Sequence, residues 1–461
     1  MRFKTARAAV LATCLAAMPA SLALPALASA TATPTEINNA LSKGLTYLKG
    51  LQAESGEIPG FGGDWSLTSL AAAGVAPADV DKAGKTGKDA RSWYEGVVGA
   101  PTWPGEGAVA TDYERGALLA YAAGIDPARV SKRQNLIAKV ASTYQPESPG
   151  YFGSTLNGTV FGLLVLGQVK TTGGVRRFPP AVLEATIAAL DANQHNDGGW
   201  TWQVVAGNAE GLAAASEPDM TGAAMAALCG AGVSSGNAAI VKGREYLVSI
   251  FEKTSGAFKS EFGNNTDSNA WAVDGLKACG IDPQGTEFTG SGTKKLTPLN
   301  YLIGQQVTGG GFRYTTGTSA EEYASQDAIR ALGAGGFTAV PPVPASGPQW
   351  KGVTEFATGG AESTGLALVI ETGVGSPAVC SVTPAPEATT TTLATVLNAA
   401  VAGTTPSGCV TGFEPGSGSG AITKINGTTA AWKVSIDGAA KVTAERSTVI
   451  HVGDTIDLAH E

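Results

Sequence analysis

Histidine is the scarcest chemistry-bearing residue in this chain, with three in 461 positions. No two of them stand at metal-ligand spacing, and no His-Glu-x-x-His helix occurs, which excludes a zincin-type hydrolase. No glycine loop is followed by Lys-Ser or Lys-Thr, so a P-loop nucleotide site is excluded too. Charged residues make up only 15% of the chain and aromatics 7%. Basic clusters are absent and the net charge is −8, a poor balance for a nucleic-acid binder. Beyond the first 30 residues no apolar run is long enough to span a bilayer.

What replaces these is glycine, 62 of it, together with abundant alanine. Small residues on this scale fit helices that pack closely and end on glycine turns. The chain opens with Arg2, Lys4 and Arg7, an apolar stretch from Ala8 to Leu24, and the small-residue site Ala28-Ser29-Ala30. That pattern reads as a secretory leader over 1–30, so the mature chain is expected outside the cell. The leader removes three of 31 basic residues and none of 39 acidic ones, leaving 28 against 39, or −11. It also removes Cys14. Four cysteines remain, Cys229, Cys279, Cys380 and Cys409, an even number in an oxidising compartment.

From Glu36 onward an amphipathic helix, a glycine-rich hinge bearing an aromatic, and a small-residue apolar helix follow one another repeatedly. The stretch from Leu190 to Val233 shows the grammar best: LDANQHNDGGWTWQ, a polar gap, then EPDMTGAAMAALCGAGV. Second helices are expected to open near positions 64, 112, 157, 219, 267, 327 and 363, the spacing of two-helix repeats. Asp64, Asp112, Asp219, Asp267 and Asp327 stand at these starts and read as caps for unpaired backbone N–H groups. Neighbouring pairs must stack to bury both faces. Small-residue helices inside and amphipathic ones outside close into a barrel of six or seven pairs. Cys229 and Cys279, at equivalent ends of successive second helices, are the expected disulfide. Cys380 and Cys409 are the remaining pair.

After Gly375 the composition changes. Residues 376–392 are Pro/Thr-rich and read as a linker. Beyond it, 393–461 holds one short helix and alternating stretches (AITKING, AWKVSIDG, STVIHVGDTIDL) expected to form a small β-rich domain. Trp432, Val434 and Ile436 share the face of one strand that should be buried.

The run Gln194-His195-Asn196-Asp197-Gly198-Gly199-Trp200, with a weaker copy at Gln306 to Phe312, resembles the glutamine–tryptophan repeat of the squalene cyclase and prenyltransferase toroids. Thr391-Leu393-Val396-Leu397, Ile425-Asn426-Gly427, Trp432 to Gly438 and Val452 to Ile456 resemble the β domain that follows the helical barrel in transcobalamin and intrinsic factor. The resemblance implies a mainly α fold, an α6/α6 toroid over 31–375 with a small β-rich domain behind it. It implies a secreted binder holding a cobalamin-type ligand between barrel mouth and β domain, with no cofactor required.

Cyclase chemistry needs a strong carboxylic acid in a dry cavity. The nearest string to the cyclase acid motif, Asp79-Val80-Asp81-Lys82, lies in a polar loop and ends in Lys, so no catalytic residue is assigned. A prenyltransferase zinc set is missing. His195 is the one histidine before the β-rich part and a weak metal candidate; a hinge turn is its ordinary role. Trp200 and Phe312 read as rivets between repeats. The candidate ligand contacts are Trp202, Gln203, Asp219, Asn265, Asn269, Trp271, Tyr314, Tyr323, Gln326 and Trp432. They are aromatics and amide or carboxyl groups near the hinges or on second helices, suited to a flat, amide-rich ligand. The alternatives are a terpene cyclase or prenyltransferase-type enzyme, or a surface adhesion module reusing the fold.

Overall fold

A computed structural model describes residues 31–59, 65–82, 84, 87–100, 102–127, 130, 135–145, 147–171, 180–205, 214–291, 295–341, 366–371, 377–382, 390–402, 410–436, 441–451 and 455–460. The leader, Asp64 and Cys409 lie outside these residues.

The helices run α1 (Pro34–Leu51), α2 (Ser66–Ala72), α3 (Ala90–Val98), α4 (Ala110–Ala122), α5 (Leu136–Ser142), α6 (Leu156–Thr171), α7 (Pro180–Ala192), α8 (Pro218–Gly230), α9 (Ala238–Ser249), α10 (Thr266–Ala278), α11 (Pro298–Gly304) and α12 (Glu322–Leu332). The even-numbered helices contact one another in sequence, α2 to α4 to α6 to α8 to α10 to α12, and α12 returns to α2. That is a closed ring of six. The odd-numbered helices form the outer layer, α1 against α12 and α9 against α8 for example. The composition explains the order. Every residue of α8 from Met220 to Leu228 is buried, as an all-apolar helix requires, while α1 buries only the stripe Ala40, Gly44 and Leu48.

Glycine sets the ring's tightest contact. A Cβ on Gly222 of α8 would lie 2.1 Å from the Trp271 carbonyl, and one on Gly275 of α10 would lie 2.3 Å from that of Gly222. The two helices therefore meet backbone to backbone. At their far ends Cys229 and Cys279 form the expected disulfide, with Cα atoms 5.2 Å apart. The Cys380–Cys409 pairing falls outside the described residues at Cys409.

The hinges lock each outer helix to the next. Gln194 Nε2 donates to Gly198 O and to Ala239 O of α9, both at 2.8 Å. Gln306 repeats this with Gly310 O and Ala40 O of α1. Gly198 and Gly310 both have φ of 93°, and a Cβ on either would strike a lysine carbonyl at 2.4 Å. The last hinge thus docks on the first helix, and six pairs close the ring. Trp200 and Phe312 are fully buried, and Trp200 Nε1 donates to Leu190 O.

Two local expectations are corrected. The segment expected as a last inner helix from 363 is instead strand β1 (Leu366–Glu371), because the ring is already complete and LALVIE is a continuous apolar run that a buried strand uses equally well. Its partner β2 (Pro377–Val382) occupies part of the stretch read as a linker. The aspartates also differ in role. Asp112 accepts from Val109 N at the start of α4, but Asn265 caps α10, and Asp327 lies inside α12 and pairs with an arginine.

The tail's five-stranded sheet has the order β4 (Val442–Thr443), β3 (Trp432–Ile436), β5 (Thr455–His460), β1, β2, with β5 parallel to β1. A helix, α13 (Leu393–Ala402), accompanies it. Trp432, Val434, Ile456, Leu458, Leu393 and Leu397 share its core. Strands β1 and β2 lie against α5, beside α4 and across the ring from α10. No helix among the described residues is long and apolar enough to cross a membrane.

Candidate functional site

The inner helices run in parallel, so their first turns gather at one end of the ring. Its axis is filled further in by Trp65, Phe161, Trp271 and Phe337, whose ring centroids lie 4.9 to 6.4 Å apart. Phe337 arrives on a short 3₁₀ turn, Gly336–Thr338, that contacts α2, α4, α6, α10 and α12. Arg330, fully buried, stands over the Phe337 ring at 4.1 Å and is held by Asp274 at 2.7 Å and Asp327 at 2.5 Å. Asp327 also accepts from Trp271 Nε1 at 2.9 Å. Burial works against the arginine's charge, but Asp327 and Asp274 together outweigh it and hold its pKa above the ordinary value. Burial raises Asp274 in spite of the ion pair, since desolvation of its carboxyl exceeds what the guanidinium returns.

Outward of this plug lies a rim of carboxyls and phenols. Asp267 is one helical turn before Trp271 on the same face of α10, and Tyr323 is one turn before Asp327 on α12. Asp219 opens α8, with Glu217 just before it. The Tyr314 ring lies 5.8 Å from that of Tyr323, whose hydroxyl donates to Glu321. Burial, reinforced by Asp327, pushes the Asp267 carboxyl well up. Burial, then Asp219 and Glu261, push Glu217 up to about 7. Burial also raises Asp219. As anions these groups repel one another, which adds to the upward shifts.

Several acceptors around this end make no hydrogen bond among the described residues. They are Asp267 Oδ1, Asn157 Oδ1, and both carboxyl oxygens of the wholly buried Glu114. Asn157 is one turn before Phe161 on α6. Glu114 lies on the face of α4 opposite Asp112, Arg115, Gly116 and Leu119, which turn outward. Burial, then Asp112, hold Glu114 well above the usual carboxylate range. An unpaired buried acceptor costs about 1–3 kcal/mol, so several around one end are a feature in need of a partner.

The ten candidate contacts from the sequence divide. Asp219, Trp271, Tyr314 and Tyr323 come together at this end, and Trp202 is 47% exposed where its carbonyl accepts from Leu156 N at the start of α6. Gln203 accepts from Ala214 N, and Gln326 donates to Pro59 O from a nearly buried position. Three are engaged within the protein. Asn265 caps α10 and donates to Ser260 and Ser268, Asn269 bonds both backbone groups of Phe258, and both are fully buried. Trp432 sits in the sheet core, its ring 5.2 Å from that of His460. His195 is in the hinge, its backbone N–H bonded to Gly199 O and its Nε2 buried without a partner among the described residues. No group of three or more His, Cys, Asp or Glu among the described residues is arranged to hold a metal ion.

Sequence reasoning missed Glu114, Arg330 and the plug. Glu114 carried a faint signal, a second acid two residues after Asp112, just before the apolar run GALLAYAAG and next to an arginine. Arg330 carried none, because its partners Asp274 and Asp327 become meaningful only when α10 and α12 are neighbours.

The ring and its β-rich tail define an α/α toroid. No protein-family model matches the chain, and no curated protein matches it. Among solved structures it is similar to the type II terpene cyclase MstE from Scytonema, at 13% identity over 65% of this chain and 97% of that one, with a TM-score of 0.45. It is similar to haptocorrin in complex with Cbi, at 12% identity over 94% and 98% of the two chains, with a TM-score of 0.36. It is also similar to an unsaturated glucuronyl hydrolase from Streptococcus agalactiae, at 12% identity over 65% and 90%, with a TM-score of 0.43. The assignment to the toroid class rests on the closed ring of helix contacts itself.

Proposed function

We propose that the protein is a secreted carrier that binds a cobalamin-like corrinoid over the acidic, tyrosine-bearing end of the ring, with the β-rich tail closing from the α5 side. The observation that carries this reading is the set of unpaired acceptors around an aromatic floor. A corrin is flat and rimmed with amide N–H donors, so carboxyl and phenol oxygens are its natural complement. Recognition needs no metal ligand from the protein. Asp219, Asp267, Tyr314 and Tyr323 are the contacts we assign, with Trp202 and Gln203 at the edge. The test is absorbance and thermal melting of the mature protein with cobalamin and with a corrinoid lacking the nucleotide. A red protein with near-stoichiometric ligand and a raised Tm is expected, and Asp219→Asn with Tyr314→Phe should weaken binding at least tenfold. No spectral change and no melting shift at saturating ligand would overturn the proposal.

A cyclase reading draws on Glu114, a buried carboxyl whose pKa burial, then Asp112, push well up. Against it, the axis where a polyprenyl chain would fold is filled by four aromatic rings. Three of them, Trp65, Trp271 and Phe337, already turn their faces to the guanidinium of Arg330, where they could otherwise steady a carbocation.

A further inference from the structure

On the outward face of α4, turned away from the ring axis, α3 and the hinge that follows it enclose a cleft of about 200 Å³. Trp93 and Trp103 stand in its walls, and Asp112 and Arg115 lie at its rim. The aromatic wall is built, not incidental. A Cβ at position 116 would lie 2.7 Å from the Trp103 ring, so the indole sits against bare helix backbone, and Tyr113 packs edge-on to it with centroids 6.0 Å apart. Beneath, the Tyr94 hydroxyl donates to Gly116 O. The polar rim is fixed as well. Asp112 accepts from Arg115 at 2.9 Å and from Val109 N at 2.9 Å, so both charged groups are oriented before anything binds.

We propose that this cleft is a carbohydrate site that holds the terminal pyranose of a glycan. A pyranose has a flat face of C–H bonds and a rim of hydroxyls that both donate and accept. Indole walls match the first, and a carboxylate beside a guanidinium matches the second with charge-assisted hydrogen bonds to neighbouring hydroxyls. A purely apolar occupant would leave the Asp112–Arg115 pair desolvated at one edge without return. A phosphate or other anion would meet Asp112. The cleft has room for one ring and opens to solvent, so it suits a chain end rather than the middle of a polymer. The cleft opens outward between α3 and α4 and not onto the ring axis, so it is a separate site from the one proposed above.

The test is saturation-transfer NMR on the full mature chain with chitotriose, cellotriose and mannotriose, which differ in the substituents their end rings present. At least one is expected to receive saturation at its terminal ring and to quench tryptophan fluorescence. Trp103→Ala should weaken that binding tenfold or more. Should that variant fold poorly, Arg115→Gln and Asp112→Asn change only the rim and should each weaken it several-fold without altering the melting profile. No transfer to any of the three sugars would overturn the proposal. So would transfer unchanged in the rim variants, or binding of N-acetyltryptophanamide with no sugar signal.

Discussion

Arg330→Met is the sharpest test of how the ring is filled. The guanidinium is wholly buried and touches two carboxylates and three aromatic rings. Methionine keeps the volume and the packing on Phe337, so the change isolates the charge. It leaves Asp274 and Asp327 buried without the guanidinium that bonds both, with only Lys277 still acting on Asp274, and breaking one side of a buried pair costs about 3–5 kcal/mol. At roughly 2 °C per kcal/mol for a unit of this size, Tm should fall by roughly 6–10 °C at pH 7. The loss should depend on pH with a definite sign. A carboxyl whose native pKa is raised binds more protons in the folded state, so its contribution favours folding at low pH and is lost as pH rises through the native value. Asp274 is already raised in the intact protein, and removing Arg330 raises it further. The variant's deficit should therefore be largest at pH 7 to 8 and should shrink by about half at pH 5. Arg330→Met with Asp274→Asn should recover much of the loss at pH 7. Calorimetric melts at pH 5 and 7 check all three. A variant as stable as the original at pH 7, or a deficit that grows on acidification, would refute the placement of this pair.

Three further outcomes follow from the geometry. Gly222→Ala puts a methyl 2.1 Å from the Trp271 carbonyl and should cost about 3 kcal/mol or more by forcing α8 from α10, read as a lower Tm; an unchanged melt would deny the backbone contact. Replacing Cys229 and Cys279 by serine releases a cross-link between residues 50 apart and should cost about 2–4 kcal/mol, with the same loss on adding reductant to the intact protein and none in the variant. Glu217 has its native pKa raised to about 7, so its contribution to stability should be present near pH 5 and lost as pH rises through 7. Glu217→Gln should flatten the Tm profile between pH 5 and 8, and an unchanged slope would remove Glu217 from the rim.

Two structural surprises share one cause. The unit from 363 has the composition of the earlier second helices, yet it forms a strand. Its local pattern fits either state, and the choice fell to its neighbours: α1 already occupied the place a seventh pair would take, while β5 and β2 offered hydrogen-bonding edges. Asp327 likewise follows the same local rule as Asp219 and Asp267, but α12 begins at Glu322 and carries it inward onto Arg330.

The sequence by itself determined the two-layer repeat. Amphipathic and small-residue helices alternate along it, glycine marks each hinge with glutamine before it at Gln194 and Gln306, and equivalent positions carry Cys229 and Cys279. These are local or periodic signals, and local physics reads them directly. Only the tertiary structure decided that six pairs close, because closure is a contact between the hinge after α11 and α1, 266 residues apart. Only it made a plug of Trp65, Phe161, Trp271 and Phe337, and only it left Glu114 and Asp267 with acceptors facing no partner. Each of those depends on several inner helices meeting around one axis, and a charge or ring acquires its role there from neighbours that are distant along the chain.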